Sequence, residues 1–246
     1  MVFLSPLLNI LSRSVRVVGK LLIRDFNELE NLQTSVIGTD NFVSTSIKKL
    51  KKNIEDSLIK IKPDYPCDHI SEENNFDSFK NCWLISAIDG ISNFKHAIPH
   101  FCISISLKEN NEIISSIVYD PIKDEIFQAQ KEKGCYLNDF RVKTSSRICN
   151  SVLYSSLNKN FNFPDNILDD FSKVKILGSP ILDFCYLASG RTDLVYHSGY
   201  NNKYYEISKL ILSESGAVIL DIDTDKKSMF VSNKKTEQKL SDLFKK

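Results

Sequence analysis

The stretch best equipped for chemistry is WLISAIDGISNF, Trp83 to Phe94. An apolar run (Trp83, Leu84, Ile85, Ala87, Ile88) ends at Asp89, turns on Gly90 and continues into Ile91-Ser92-Asn93, which can cap a short helix. A strand end facing a helix start aims one carboxylate and several backbone N–H groups at the same spot. The carboxylate suits a cation and the N–H groups suit an anion, so a metal ion and a phosphate are the matching pair of ligands. Asp-Gly after an apolar run also reads as a plain turn. Upstream, His69-Ile70-Ser71-Glu72-Glu73-Asn74 offers two more carboxylates and otherwise reads as a charged loop before a strand.

Two helices precede these residues. Ser5 is placed as N-cap with Pro6 at the first helical position, and Leu7, Ile10, Leu11, Val15, Val18 and Leu22 recur at helical spacing. The spacing of Ile47, Leu50, Ile54, Leu58 and Ile61 predicts a second helix over 41–61, ended by Pro63 and Pro66. From Cys102 to Val142 the period changes to strands, with turns at 109–111, 120–121 and 138–139, which describes an antiparallel meander. Residues 146–170 are weakly patterned and rich in Asn and Ser, and the boundary between an N-terminal α+β subdomain (1–150) and a C-terminal α/β subdomain (151–246) is placed there. Beyond it, strands near 174–177, 194–196 and 218–220 alternate with helices over 181–189 and 203–215, an α/β pattern.

The chain has 246 residues, 42% of them apolar, enough for a sizeable core. A formal net charge of +1, with both signs spread through the sequence, gives no direct signal for nucleic acid or an anionic membrane. Arg13, Arg16 and Lys20 interrupt the N-terminal apolar run, so neither a secretion signal nor a membrane span is expected. Cys67, Cys82, Cys102, Cys135, Cys149 and Cys185 lack C-x-x-C spacing and read as reduced core residues, pointing to the cytoplasm. A metal site built from Cys67, His69 and Cys82 matches no zinc spacing.

The Trp83–Phe94 stretch resembles the signature W-x-I-D-P-[IL]-D-G-T-x-N-F of the inositol monophosphatase family, Mg²⁺-dependent phosphatases of inositol and related sugar phosphates. GTDNFVSTSI (38–47), PHFCISIS, VYDPIKDEIFQA and GSPILDFCYLASGRTD (178–193) are similar to its bacterial SuhB-like branch, so the likeness runs nearly end to end. The resemblance implies a layered αβαβα sandwich, and from it the two N-terminal helices are expected between an antiparallel sheet and a smaller mixed sheet. It implies a pocket where Glu72, Asp89 and Tyr204 converge, and a homodimer.

Carried over residue by residue, Glu72, Asp89 and the backbone carbonyl of Ile88 are the metal positions. Gly90, Ile91, Ser92, Gly178, Ser179 and His197 are the phosphate and substrate positions. The metal-bridging aspartate of the family falls on Ser86, its threonine on Ile91, the aspartate paired with that threonine on Ile47, and the far-helix aspartate on Tyr204. The two-metal mechanism needs carboxylates to hold cations about 3.5–4 Å apart. The expectation is therefore an eroded Mg²⁺ site, with Mg²⁺ weak or absent, in a catalytically impaired protein that binds a small phosphorylated ligand or a protein partner. The alternative is a working Mg²⁺-dependent phosphatase using Glu72, Asp89 and His197, with Glu73 or a water supplying a missing ligand.

Overall fold

The computed structural model describes residues 5–32, 36–70, 79–147, 152–156, 174–198, 202–223 and 228–244. Glu72 and Glu73 lie outside the described residues. Helix α1 spans Pro6–Leu32 and α2 spans Val36–Ile59. The Leu8 N–H donates to Ser5 Oγ at 3.3 Å, so the N-cap read from the sequence is made. Helix α2 starts five residues before the predicted start at residue 41.

The first sheet has seven strands in the order β1 to β7: Cys67–His69, Cys82–Asp89, Cys102–Glu109, Glu112–Asp120, Glu125–Gln130, Gly134–Leu137 and Phe140–Val142. Only β1–β2 is parallel; the remaining pairs form the expected antiparallel meander. The short helix α3, Ile91–Lys95, follows β2 after Gly90. The second sheet has the order β11-β12-β10-β8-β9, from Val218–Asp223, Ser228–Ser232, Leu194–Ser198, Val152–Ser156 and Val174–Ile176. Helices α4 (Pro180–Ala188), α5 (Asn202–Ser215) and α6 (Lys234–Phe244) complete the chain.

The layers form the αβαβα sandwich, but the N-terminal helices do not lie between the sheets. Leu8, Leu11, Val15, Val18, Leu22 and Phe26 of α1, with Leu50, Ile54 and Leu58 of α2, bury themselves against Trp83, Ile85, Ile103, Ile105 and Ile117 on the outer face of the large sheet. Its inner face (Leu84, Val118, Phe127, Ala129) packs on Ile181, Cys185, Ile207 and Ile211 of α4 and α5. Those two helices are the middle layer, and Phe184, Leu187 and Leu212 turn from them toward Val195, Met229 and Val231 of the second sheet. The physical reason is amphipathicity: α1 and α2 have one apolar face and suit an outer layer, whereas α4 is buried along nearly its whole length and can sit between sheets. Strand β2 is buried on both faces for the same reason.

Candidate functional site: a small apolar pocket beside a buried carboxylate

The site lies at the C-terminal end of β2, where the ladder to β3 shifts register between Ser86 and Asp89. Such a bulge lets two successive residues take one side and re-aims the next. Ala87 and Ile88 both join the core under α1 and α2, and the Asp89 carboxylate is delivered to the start of α4.

Asp89 is 2% exposed. Its Oδ2 accepts hydrogen bonds from Ser179 Oγ at 2.5 Å and from the Ile181 N–H at 2.8 Å. The neighbouring Gly90 N–H also favours the charged form of this carboxylate. Burial raises the Asp89 pKa from 3.8 to about 6, and Ser179, Ile181 and Gly90 pull it part of the way back. Asp183, in the first turn of α4, is fully buried, and neither of its oxygens meets a hydrogen-bond partner. Burial first, then the Asp89 charge, pushes its carboxyl well above the usual range.

Beside Asp89, Ile47, Lys51, Ile70, Ser86, Ala87, Ile88, Ile91 and Tyr204 line one pocket of about 20 Å³. That is room for about one water. The structure thus brings together Ile47, Ser86, Ile91 and Tyr204, which come from α2, β2, α3 and α5. Burial, then the charge of Asp89, raises the Tyr204 phenol to about 12, so it stays a neutral hydroxyl. Gly178 and Ser179 sit at the start of α4, in contact with Asn93 and Asp89 respectively. His197 is not among the pocket's lining residues. It is 1% exposed on β10, with its ring edge-on to Phe184 at 6.1 Å.

Lys51 and Asn93 join the site in the fold. Lys51 follows Ile47 by four residues on α2, so helical spacing places both on one face, and that signal was available in the sequence. Asn93 Nδ2 donates to the carbonyls of His100 at 2.8 Å and Leu177 at 2.7 Å, a long-range tie that no spacing reveals. The proposed Cys67–His69–Cys82 metal site is not formed: Cys67 packs under α1 and α2 and Cys82 on the opposite face of the sheet, while His69 Nε2 meets Glu55 at 2.6 Å.

The chain matches the inositol monophosphatase family over residues 4–243. The chain belongs to the inositol monophosphatase family. An inositol-1-monophosphatase of Mesorhizobium japonicum is 30% identical over 232 residues, covering 89% of this chain and 86% of that one. A protein named Nus factor SuhB from Buchnera aphidicola subsp. Baizongia pistaciae is 32% identical over 231 residues, with 89% and 86% covered. The crystal structure of the extragenic suppressor protein suhB from Bartonella henselae superposes with a TM-score of 0.80 at 26% identity, over 98% of this chain and 99% of that one.

The family implies Mg²⁺, and the described residues do not fit it. No group of three or more His, Cys, Asp or Glu among them could hold a metal ion. Mg²⁺ requires near-octahedral oxygen ligands, whereas this pocket is walled by isoleucines, carries the Lys51 side chain and is smaller than a hydrated cation.

The Asp89 shift makes stability depend on pH. Between about pH 4 and 6 the folded chain keeps a proton that the unfolded chain has released, so Asp89 favours folding most below about pH 4. That contribution is lost as pH rises through about 6, to the extent of about 3 kcal/mol. Urea melts at pH 4, 5, 6 and 7 are expected to show the fall in the parent and a flatter profile in Asp89→Asn.

Proposed function

We propose that this member of the inositol monophosphatase family has lost the Mg²⁺-dependent phosphatase reaction and works through binding. The observation that carries the reading is the pocket itself, where Ile47, Ser86, Ile91 and Tyr204 stand together with Lys51. In-line attack by a metal-bound water needs bridging carboxylates and a polarised hydroxyl. Ser86 is too short and uncharged to bridge, and Ile47 with Ile91 puts two apolar side chains where relatives carry a hydrogen-bonded pair, an exchange that can be nearly neutral for folding.

The ligand is a small phosphorylated molecule or a protein. Relatives named Nus factor SuhB favour a protein partner. A homodimer in the cytoplasm, with subdomains 1–150 and 151–246, completes the proposal; the cysteines among the described residues, at positions 67, 82, 102, 135 and 185, are free and agree with a reducing compartment. Phosphate held at Gly90, Ile91, Ser92, Gly178, Ser179 and His197 is the remaining family assignment, and the engagement of Ser179 with Asp89 argues for a weak site.

The inositol-1-monophosphatase relatives favour a second reading, a working Mg²⁺-dependent enzyme that uses Glu72 with Asp89. Calorimetry with MgCl₂ and inositol 1-phosphate, run beside a phosphate-release assay, separates the two. The expected result is no saturable heat at millimolar Mg²⁺ and phosphate release at the uncatalysed background. Robust Mg²⁺-dependent release by the unmodified chain overturns the proposal.

A further inference from the structure

We infer that Asp89 acts in this chain as a metal-free clamp, fastening the end of β2 to the start of α4 in place of a cation. The inference rests on the reading of the pocket as unfit for Mg²⁺ and adds a role for the acidic residue that remains.

Two donors meet Oδ2 of the carboxylate, and both are internal: the Ser179 hydroxyl and the Ile181 N–H. Ser179 is the N-cap residue of α4, yet its own side chain makes no capping bond. Asp89 supplies that bond from another element, 92 residues away in sequence from Ile181. A carboxylate at a helix N-terminus meets orphan N–H groups and the positive end of the helix dipole, which is the arrangement of a cap.

A second tie lies beside the first. Asn93 Nδ2 binds the Leu177 carbonyl at 2.7 Å, and a Cβ at Gly178 would stand 3.1 Å from the Asn93 amide. Residues 89–93 and 177–181 are thereby joined by side-chain hydrogen bonds. Asp89 is a positioning residue here, acting on α4, whose other faces pack against both sheets.

The test is a double-mutant cycle on melting temperature at pH 7.5 in EDTA and in 10 mM MgCl₂, using Asp89→Ala, Ser179→Ala and their combination. Each single variant is expected to melt about 5–10 °C below the parent, the double variant well short of the summed loss, and MgCl₂ to change none of them. Asp89→Asn keeps an acceptor oxygen for Ser179 and Ile181 and is expected to melt near the parent, which covers the case in which Asp89→Ala does not fold. Strictly additive losses, an Asp89→Asn melting as low as Ser179→Ala, or a rise with MgCl₂ in the parent that Asp89→Ala abolishes each overturn the clamp. Because the readout is melting and not turnover, Mg²⁺-dependent phosphate release alongside coupled losses would remove the proposed loss of activity and leave the clamp standing.

Discussion

Ser86→Asp, Ile91→Thr, Tyr204→Asp and Ile47→Asp, combined in one chain, are expected to raise Mg²⁺ binding above that of the parent. All four positions line the same pocket, so the new carboxylates converge instead of scattering over the surface. In EDTA the combined variant should be several kcal/mol less stable than the parent, because unpaired charges are placed where Ser86 is only 3% exposed. Mg²⁺ should reverse that loss. At a concentration 100 times its Kd, a ligand specific for the folded form stabilises by about 2.7 kcal/mol, which for a chain of this size is roughly 5–10 °C in melting temperature. Lys51 lines the same pocket, and its ammonium would compete with the cation for the added carboxylates. Adding Lys51→Gln is therefore expected to tighten Mg²⁺ binding further. Thermal melts with and without MgCl₂ check both steps, and a folded combined variant indifferent to Mg²⁺ would show that the pocket had lost more than these four side chains. Phosphate release from inositol 1-phosphate should appear only in variants that also respond to the metal.

The layers were legible where one physical signal dominates. Helical spacing in α1, the period-2 runs of β3 to β7 and the Ser5–Pro6 start are local patterns, and the fold follows them. The placement of α1 and α2 was misread, because amphipathicity says that a helix has one buried face and not which sheet receives it. Strand β8 was hidden in the polar stretch around residues 146–170, and β12 with α6 in a lysine-rich C-terminal stretch, where the pattern is short and weak. At the site, family likeness led to the expectation that Glu72, Asp89 and Tyr204 converge; Tyr204 lines the pocket, Asp89 follows the lining residue Ile88, and Glu72 lies outside the described residues. His197, a substrate position by resemblance, does not line this pocket and packs edge-on to Phe184. What Asp89 binds could not be read at all, since Ser179 and Ile181 reach it only through tertiary packing.

Gly90→Ala is expected to be among the most damaging single-methyl changes in the chain. Gly90 has φ +84°, a left-handed conformation that an L side chain adopts at a cost of roughly 1–2 kcal/mol. The added Cβ would also stand 2.8 Å from the His100 carbonyl oxygen and 3.2 Å from Phe101 Cα. Both contacts are backbone, and the strand that carries them cannot yield freely: Phe101 is fully buried, with its ring 5.2 Å from Phe94 and 5.1 Å from Phe26. Moving Gly90 instead would shift the start of α3. Gly216→Ala provides the comparison, because Gly216 has a similar φ of +80° but its Cβ would find nothing nearer than Thr144 Oγ1 at 4.0 Å. Urea denaturation of the two variants should separate conformational strain from steric contact. Gly216→Ala is expected to lose about 1–2 kcal/mol and Gly90→Ala about 3 kcal/mol or more, with the difference assigned to the His100–Phe101 backbone. Equal losses would mean that the β3 entry can give way, and that the turn carrying Asp89 toward α4 is less firmly set than its contacts indicate.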